Sequence, residues 1–125
     1  MKTANYWIET LGLQAHPEGG YFAETYRSDE SIPTESLPDR YATTRTFGTT
    51  IYFMLKAGQV SHLHRLQSDE LWHFHTGDPT ELVMLHANGQ WESRKLGANP
   101  EEGESLLLVI PRHTWFGAQV LGNNY

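Results

Sequence analysis

Four histidines, two acids and an arginine fall within the seventeen residues from Ser61 to Gly77, SHLHRLQSDELWHFHTG. Imidazole and carboxylate are the ligand types a divalent transition metal takes. They are equally the two halves of a general acid–base pair. In the metal reading, His62, His64 and Glu70 supply three ligands and leave a position for water or substrate. In the acid–base reading, His64 moves the proton and Asp69 or Glu70 orients it. The plain alternatives are polar residues lining a wet pocket without a metal, or a histidine satisfied by a carboxylate for structural reasons.

Either chemistry needs strands to aim these groups. Successive strand side chains point to opposite faces, so His62 and His64 are expected on one face of a first strand. Gln67-Ser68-Asp69 is polar and turn-like. A second strand, Glu70 to Thr76, sets Glu70, Trp72 and Phe74 on one face and Leu71, His73 and His75 on the other. Paired as a hairpin, the two strands bring His62, His64 and Glu70 to one pocket.

The remaining chain supplies further strands. Thr3 to Leu13 predicts a short helix, with Thr3 as cap, Tyr6, Trp7, Ile8 and Leu11 as a rough stripe, and Gly12 near the stop. Pro17 and Gly19-Gly20 give a tight approach to a strand over residues 21–27. Alternation there sets Tyr21, Ala23, Thr25 and Arg27 against Phe22, Glu24 and Tyr26. Asp29 to Tyr41, with Pro33 and Pro38, reads as a loop of the kind that covers sites. Thr43 to Leu55 reads as strand. Thr80 to His86 and Gln90 to Lys95 flank the hairpin signal Asn88-Gly89. Gly97 to Glu104 is a loop, Ser105 to Ile110 an apolar buried strand, and Thr114 to Val120 the last strand. About eight short, evenly spaced strands predict an all-β antiparallel sandwich or barrel.

At 125 residues, one domain with one core is expected. A net charge of −6 argues against a nucleic-acid-binding module, which carries a basic face. The chain has no cysteine, so disulfides, thiol catalysis and cysteine zinc sites are excluded. No apolar run approaches the roughly 20 residues of a membrane span, and MKTANYWIETLGL lacks a signal-peptide core. A soluble cytoplasmic protein is the expectation, with neither nucleic acid nor membrane as partner.

Arginines within strands can clamp a carboxylate or phosphate bidentately. Arg27, Arg45 and Arg65 are so placed, and the alternative for each is an ion pair with Glu24, Glu70 or another acid. Parity favours Arg27, on the Tyr21 face, over Arg65. Tyr21, Tyr52, Trp72 and Trp115 are candidate pocket walls, or plain core aromatics. His86 and His113 show no partner.

The spacing Gly58…His62-Leu63-His64…Glu70…Gly77 resembles the first conserved motif of the cupin superfamily. Gly58 to His62 is two residues short, and Glu70 follows His64 with one extra. Gly103…Pro111-Arg112-His113-Thr114-Trp115-Phe116 resembles the second motif, with His113 where glycine is usual and Phe116 where the third histidine would stand. HPEGGYFAETYRS, TTIYFML, SHLHRLQSDELWHFHTGDP and VIPRHTWFGA, in this order, are more closely similar to a small cupin family of unknown function, itself similar in fold to the deoxysugar-nucleotide epimerases.

That resemblance implies a jelly-roll β-sandwich, here beside the short N-terminal helix, a homodimer and a pocket for a small polar ligand; a sugar-nucleotide-like metabolite is the leading reading of that ligand. It implies no established activity. It does not choose among isomerase- or epimerase-like proton transfer with His64 as base, a metal-dependent dioxygenase or isomerase using His62, His64 and Glu70, and simple ligand binding. It also implies a further strand pair beyond Tyr125, whose absence from residues 1–125 would leave an apolar sheet edge.

Overall fold

The computed structural model describes residues 1–125. One helix, α1 (Ala4–Leu11), precedes twelve strand segments. These are β1 (Gln14–Ala15), β2 (Tyr21–Arg27), β3 (Ser31–Ile32), β4 (Arg45–Thr46), β5 (Thr49–Met54) and β6 (Val60–His64), then β7 (Glu70–His73), β8 (Thr80–Leu85), β9 (Trp91–Leu96), β10 (Glu104–Ser105), β11 (Leu107–Ile110) and β12 (Trp115–Val120).

The helix begins and ends on its caps. Thr3 Oγ1 accepts the Tyr6 N–H at 3.1 Å, and Gly12 closes the last turn in the left-handed region at φ +62°. Its apolar side packs Ala4, Trp7, Ile8 and Leu11 against Leu13, Met54 and Tyr125. Trp7 also donates its indole N–H to the Tyr125 hydroxyl at 2.8 Å.

A five-stranded sheet runs β10-β9-β8-β12-β6. Opposite it stand the β1-β2-β5 sheet and the β11-β7 pair, and β3-β4 forms a small outlying ribbon. The core lies between these layers: Leu82, Met84, Leu96, Phe116 and Ala118 from the large sheet meet Leu55, Leu108 and Ile110. Leu82, Ile110 and Phe116 are at most 1% exposed. Burying each such side chain contributes about 1.5–3 kcal/mol. The all-β sandwich expected from the strand spacing is the fold observed.

Local differences have local causes. The helix is shorter than expected because Gly12 stops it. The strand expected over 43–55 breaks at Phe47-Gly48 into β4 and β5, and the loop over 29–41 contains β3. The two-residue β9–β10 pairing is parallel, a departure from the antiparallel pattern. The expected hairpin of β6 with β7 does not form: β6 pairs with β12, and β7 with β11. Residues 65–69 carry the chain from one layer to the other, so the inner faces of β6 and β7 look across the sandwich. No helix is long and apolar enough to cross a membrane.

Candidate functional site

Glu70 starts β7 where His64 ends β6, so the short connection between layers delivers both to the same end of the sandwich. Opposite residues of an antiparallel pair share a face. Glu70 stands opposite Ile110, which is 1% exposed, and points inward. His64 stands opposite Phe116, with ring centroids 4.3 Å apart, and also points inward.

His62 does not. Phe116 faces His64 and Ala118 faces Ser61, so three steps along β6 match two along β12. This bulge reverses the alternation. Ser61, only 4% exposed, takes the inward position, and His62 is exposed. Gly117 sits at the bulge, where a Cβ would come within 2.8 Å of the Ser61 carbonyl.

The His-Pro-Glu-Gly-Gly segment locks the other edge of β6. Glu18 O accepts both the His62 N–H at 2.8 Å and the His62 Nδ1–H at 2.9 Å. Gly19 lies at φ +107° directly against the Val60 carbonyl, where no side chain fits. The turn aims His16 inward. His16 sits edge-on to Phe22 at 5.0 Å and to Phe53 at 5.5 Å. When protonated it favours the Glu70 carboxylate, as does His64.

The partners fix the tautomers. A carbonyl oxygen only accepts, so His64 donates Nδ1–H to its acceptor, the His62 carbonyl, at 2.7 Å. The neutral ring then carries its lone pair on Nε2, free to take a proton. His16 is the reverse: its Nδ1 accepts the Glu18 N–H at 2.9 Å, which leaves Nε2–H as a donor. Glu70 accepts the Trp72 indole N–H at 2.6 Å. Burial pushes its carboxyl above the usual range, against the lowering effects of the Trp72 bond and the two imidazoles. Trp72 closes the wall edge-on to Phe53 at 5.4 Å and Phe116 at 6.4 Å. A carboxyl biased toward its neutral form and an imidazole with a free lone pair thus share an apolar wall, the environment that sets acid and base roles apart.

Several expected site residues lie elsewhere. His62, His64 and Glu70 do not form the three-ligand metal set: the bulge turns His62 outward, and no three His, Asp or Glu side chains converge to hold an ion. The donor set therefore does not fit the divalent metal that cupins can carry. Asp69 does not orient His64; its Oδ1 accepts the Arg112 N–H at 2.8 Å and ties down the turn before β12. Tyr21 packs in the helix-side cluster, and Tyr52, opposite Ala23, faces outward and meets His75 edge-on. Arg27 leaves the Tyr21 face, because a bulge between Glu24 and Tyr26 reverses the parity of β2. Its guanidinium pairs with Glu24 at 2.6 Å. Arg65 and Trp115 lie together on the outer face, the guanidinium 5.1 Å above the ring. Trp72 alone of the four proposed aromatics reaches Glu70.

Sequence reasoning missed His16, Phe22 and Phe53. The available signal was a histidine set directly before Pro-Glu-Gly-Gly, a turn tight enough to fix where that imidazole points. The opposite face of 21–27 was the inward one.

Three comparisons bear on this architecture. The chain is similar to protein SO0799 from Shewanella oneidensis, with a TM-score of 0.88 and 31% identity, over 99% of this chain and 73% of that one. It is similar to a hypothetical protein from Leishmania major, with a TM-score of 0.87 and 34% identity, over 99% and 75%. It is also 26% identical over 121 residues to the uncharacterised Saccharomyces cerevisiae protein YML079W, covering 93% of this chain and 60% of the yeast protein. The chain thus spans about three-fifths of that curated relative's length. The profile of the family described as Cupin superfamily (DUF985) matches residues 5–125, and the chain belongs to that family.

Proposed function

We propose that this chain binds a small polar metabolite at the His64–Glu70–His16 site and moves a proton on it, as an isomerase or epimerase does. The observation that carries this is the pairing of a free His64 Nε2 with a carboxyl that burial biases toward the neutral acid. His64 is the base, Glu70 the acid, and the His16 Nε2–H a donor that steadies an oxygen of the ligand. Phe22, Phe53 and Trp72 supply the apolar surface on which a sugar ring lies. The protein acts as a homodimer. Leu71, Leu107 and Val109, with His73 opposite Leu107, leave an exposed, mainly apolar patch on the outer face of β7 and β11, and a two-fold dimer buries such a patch against its own copy.

The test is calorimetry with a panel of nucleotide sugars and sugar phosphates, followed by incubation of any ligand in D₂O. Wild type should bind a member of the panel and exchange one carbon-bound hydrogen for deuterium. His64→Ala should retain binding and lose exchange. Binding without exchange in wild type reduces the site to a ligand-binding one; no binding by any member defeats the reading.

A further inference from the structure

We propose that a groove on the outer face of β6, β12 and β8 is a second ligand site, for a small anion carrying an aromatic ring. The groove has a volume of about 560 Å³, and Arg65, Gln67, Leu85, His86, His113 and Trp115 line it with two small residues of the β8–β9 turn. None of its lining residues is an acid, although Asp and Glu outnumber Lys and Arg by 15 to 9 in the chain. Glu92 lies behind His86 as its partner, and Arg65 is the cation that lines the hollow, a local positive charge that draws anions on a net-negative protein.

Its chemistry is specific. Arg65 follows the inward His64, and Trp115 precedes the inward Phe116, so strand alternation turns both outward. The Arg65 guanidinium rests 5.1 Å from the Trp115 ring centroid and makes no ion pair with any acid of the chain. Stacking fixes its plane and leaves its N–H edge free to grip two oxygens of one anion. Trp115 is 40% exposed, an aromatic surface for a ligand ring. Two imidazoles are held in place at the margin: His113 by Nε2–H to Gln67 Oε1 at 3.0 Å, and His86 by Glu92 at 2.7 Å. His113 occupies the left-handed region at φ +65°, a conformation glycine would take freely. The β6–β12 sheet separates this groove from His64 and Glu70, so the two sites are distinct.

Phosphate monoesters and carboxylates share the chemistry, and the experiment separates them. The full chain, ¹⁵N-labelled, is titrated by NMR with phenyl phosphate, benzoate, inorganic phosphate and benzyl alcohol. The Trp115 indole N–H and the Gln67 side-chain amide should move with phenyl phosphate, benzoate or both, and which one moves them names the anion class. Arg65→Gln should weaken that binding about tenfold or more. Trp115→Leu, on the same exposed face, should do likewise and provides a second variant if Arg65→Gln lowers stability. The proposal is overturned if neither aromatic anion moves these signals by about 10 mM. It is also overturned if inorganic phosphate or benzyl alcohol moves them equally well, or if both variants bind like wild type.

Discussion

His113 offers a sharp test of the backbone, because it holds φ +65° without being a glycine. For an L-residue the left-handed region costs about 1–2 kcal/mol. Glycine escapes that cost but loses about 0.5–1 kcal/mol through its freer unfolded chain. The side chain returns one exposed hydrogen bond, Nε2–H to Gln67 Oε1 at 3.0 Å. At the surface such a bond contributes about 0.5 kcal/mol. His113→Ala keeps the strain and loses the bond, so it should destabilise by about 0.5 kcal/mol. His113→Gly loses the bond and the strain together. It should therefore match or slightly exceed wild type, and exceed His113→Ala by about 0.5–1 kcal/mol. Urea denaturation followed by tryptophan fluorescence, with m-values held equal, measures the difference. An alanine variant as stable as the glycine variant would show that residue 113 is not left-handed. Both variants should lose affinity for the aromatic anion, because both remove the imidazole from the groove.

Glu70→Gln should stabilise the protein at pH 7, since glutamine keeps an oxygen for the Trp72 N–H and never ionises. The sign follows from linkage: a raised folded pKa means the native state holds the proton more tightly. Wild-type stability should then fall as pH rises from the unfolded carboxyl value, about 4.3, through the raised folded one, and the variant should lack that decline in pH-dependent urea melts. Gly19→Ala forces a Cβ against the Val60 carbonyl at φ +107°, and thermal melts should show a loss of about 3 kcal/mol or more. Light scattering at about 10 µM should report a dimer, and Leu71→Lys with Val109→Lys should report a monomer of unchanged circular dichroism. A wild-type monomer at that concentration removes the apolar patch as an interface.

How much of this was legible depended on where the strands are regular. In β7 no bulge interrupts the alternation, and Glu70 and Trp72 are inward while Leu71 and His73 are outward, as period two predicts. The Thr3 cap and Gly12 stop were likewise local signals, satisfied by local bonds. In β6 and β2 one extra residue against the partner strand reversed the parity, which misplaced His62 and Arg27. A bulge is set by the partner strand's register, which the bulged strand's own sequence does not contain. The supposed β6–β7 hairpin failed for a related reason. Chain neighbours are the default sheet neighbours, but here the five-residue link crosses between layers. His16 was the costliest omission, because its electrostatic influence on Glu70 acts across the fold rather than through spacing along the chain.

The central claim is that Glu70 is an acid biased toward its neutral form beside a histidine base. The direct measurement is ¹³C NMR titration of the Glu70 carboxyl from about pH 3 to pH 8. The predicted midpoint lies above the ordinary glutamate value, and it rises further in His64→Ala, which removes an imidazole that lowers it when protonated. A midpoint at or below the ordinary value, unmoved by His64→Ala, would make Glu70 a simple ionised carboxylate and contradict the proposed proton transfer.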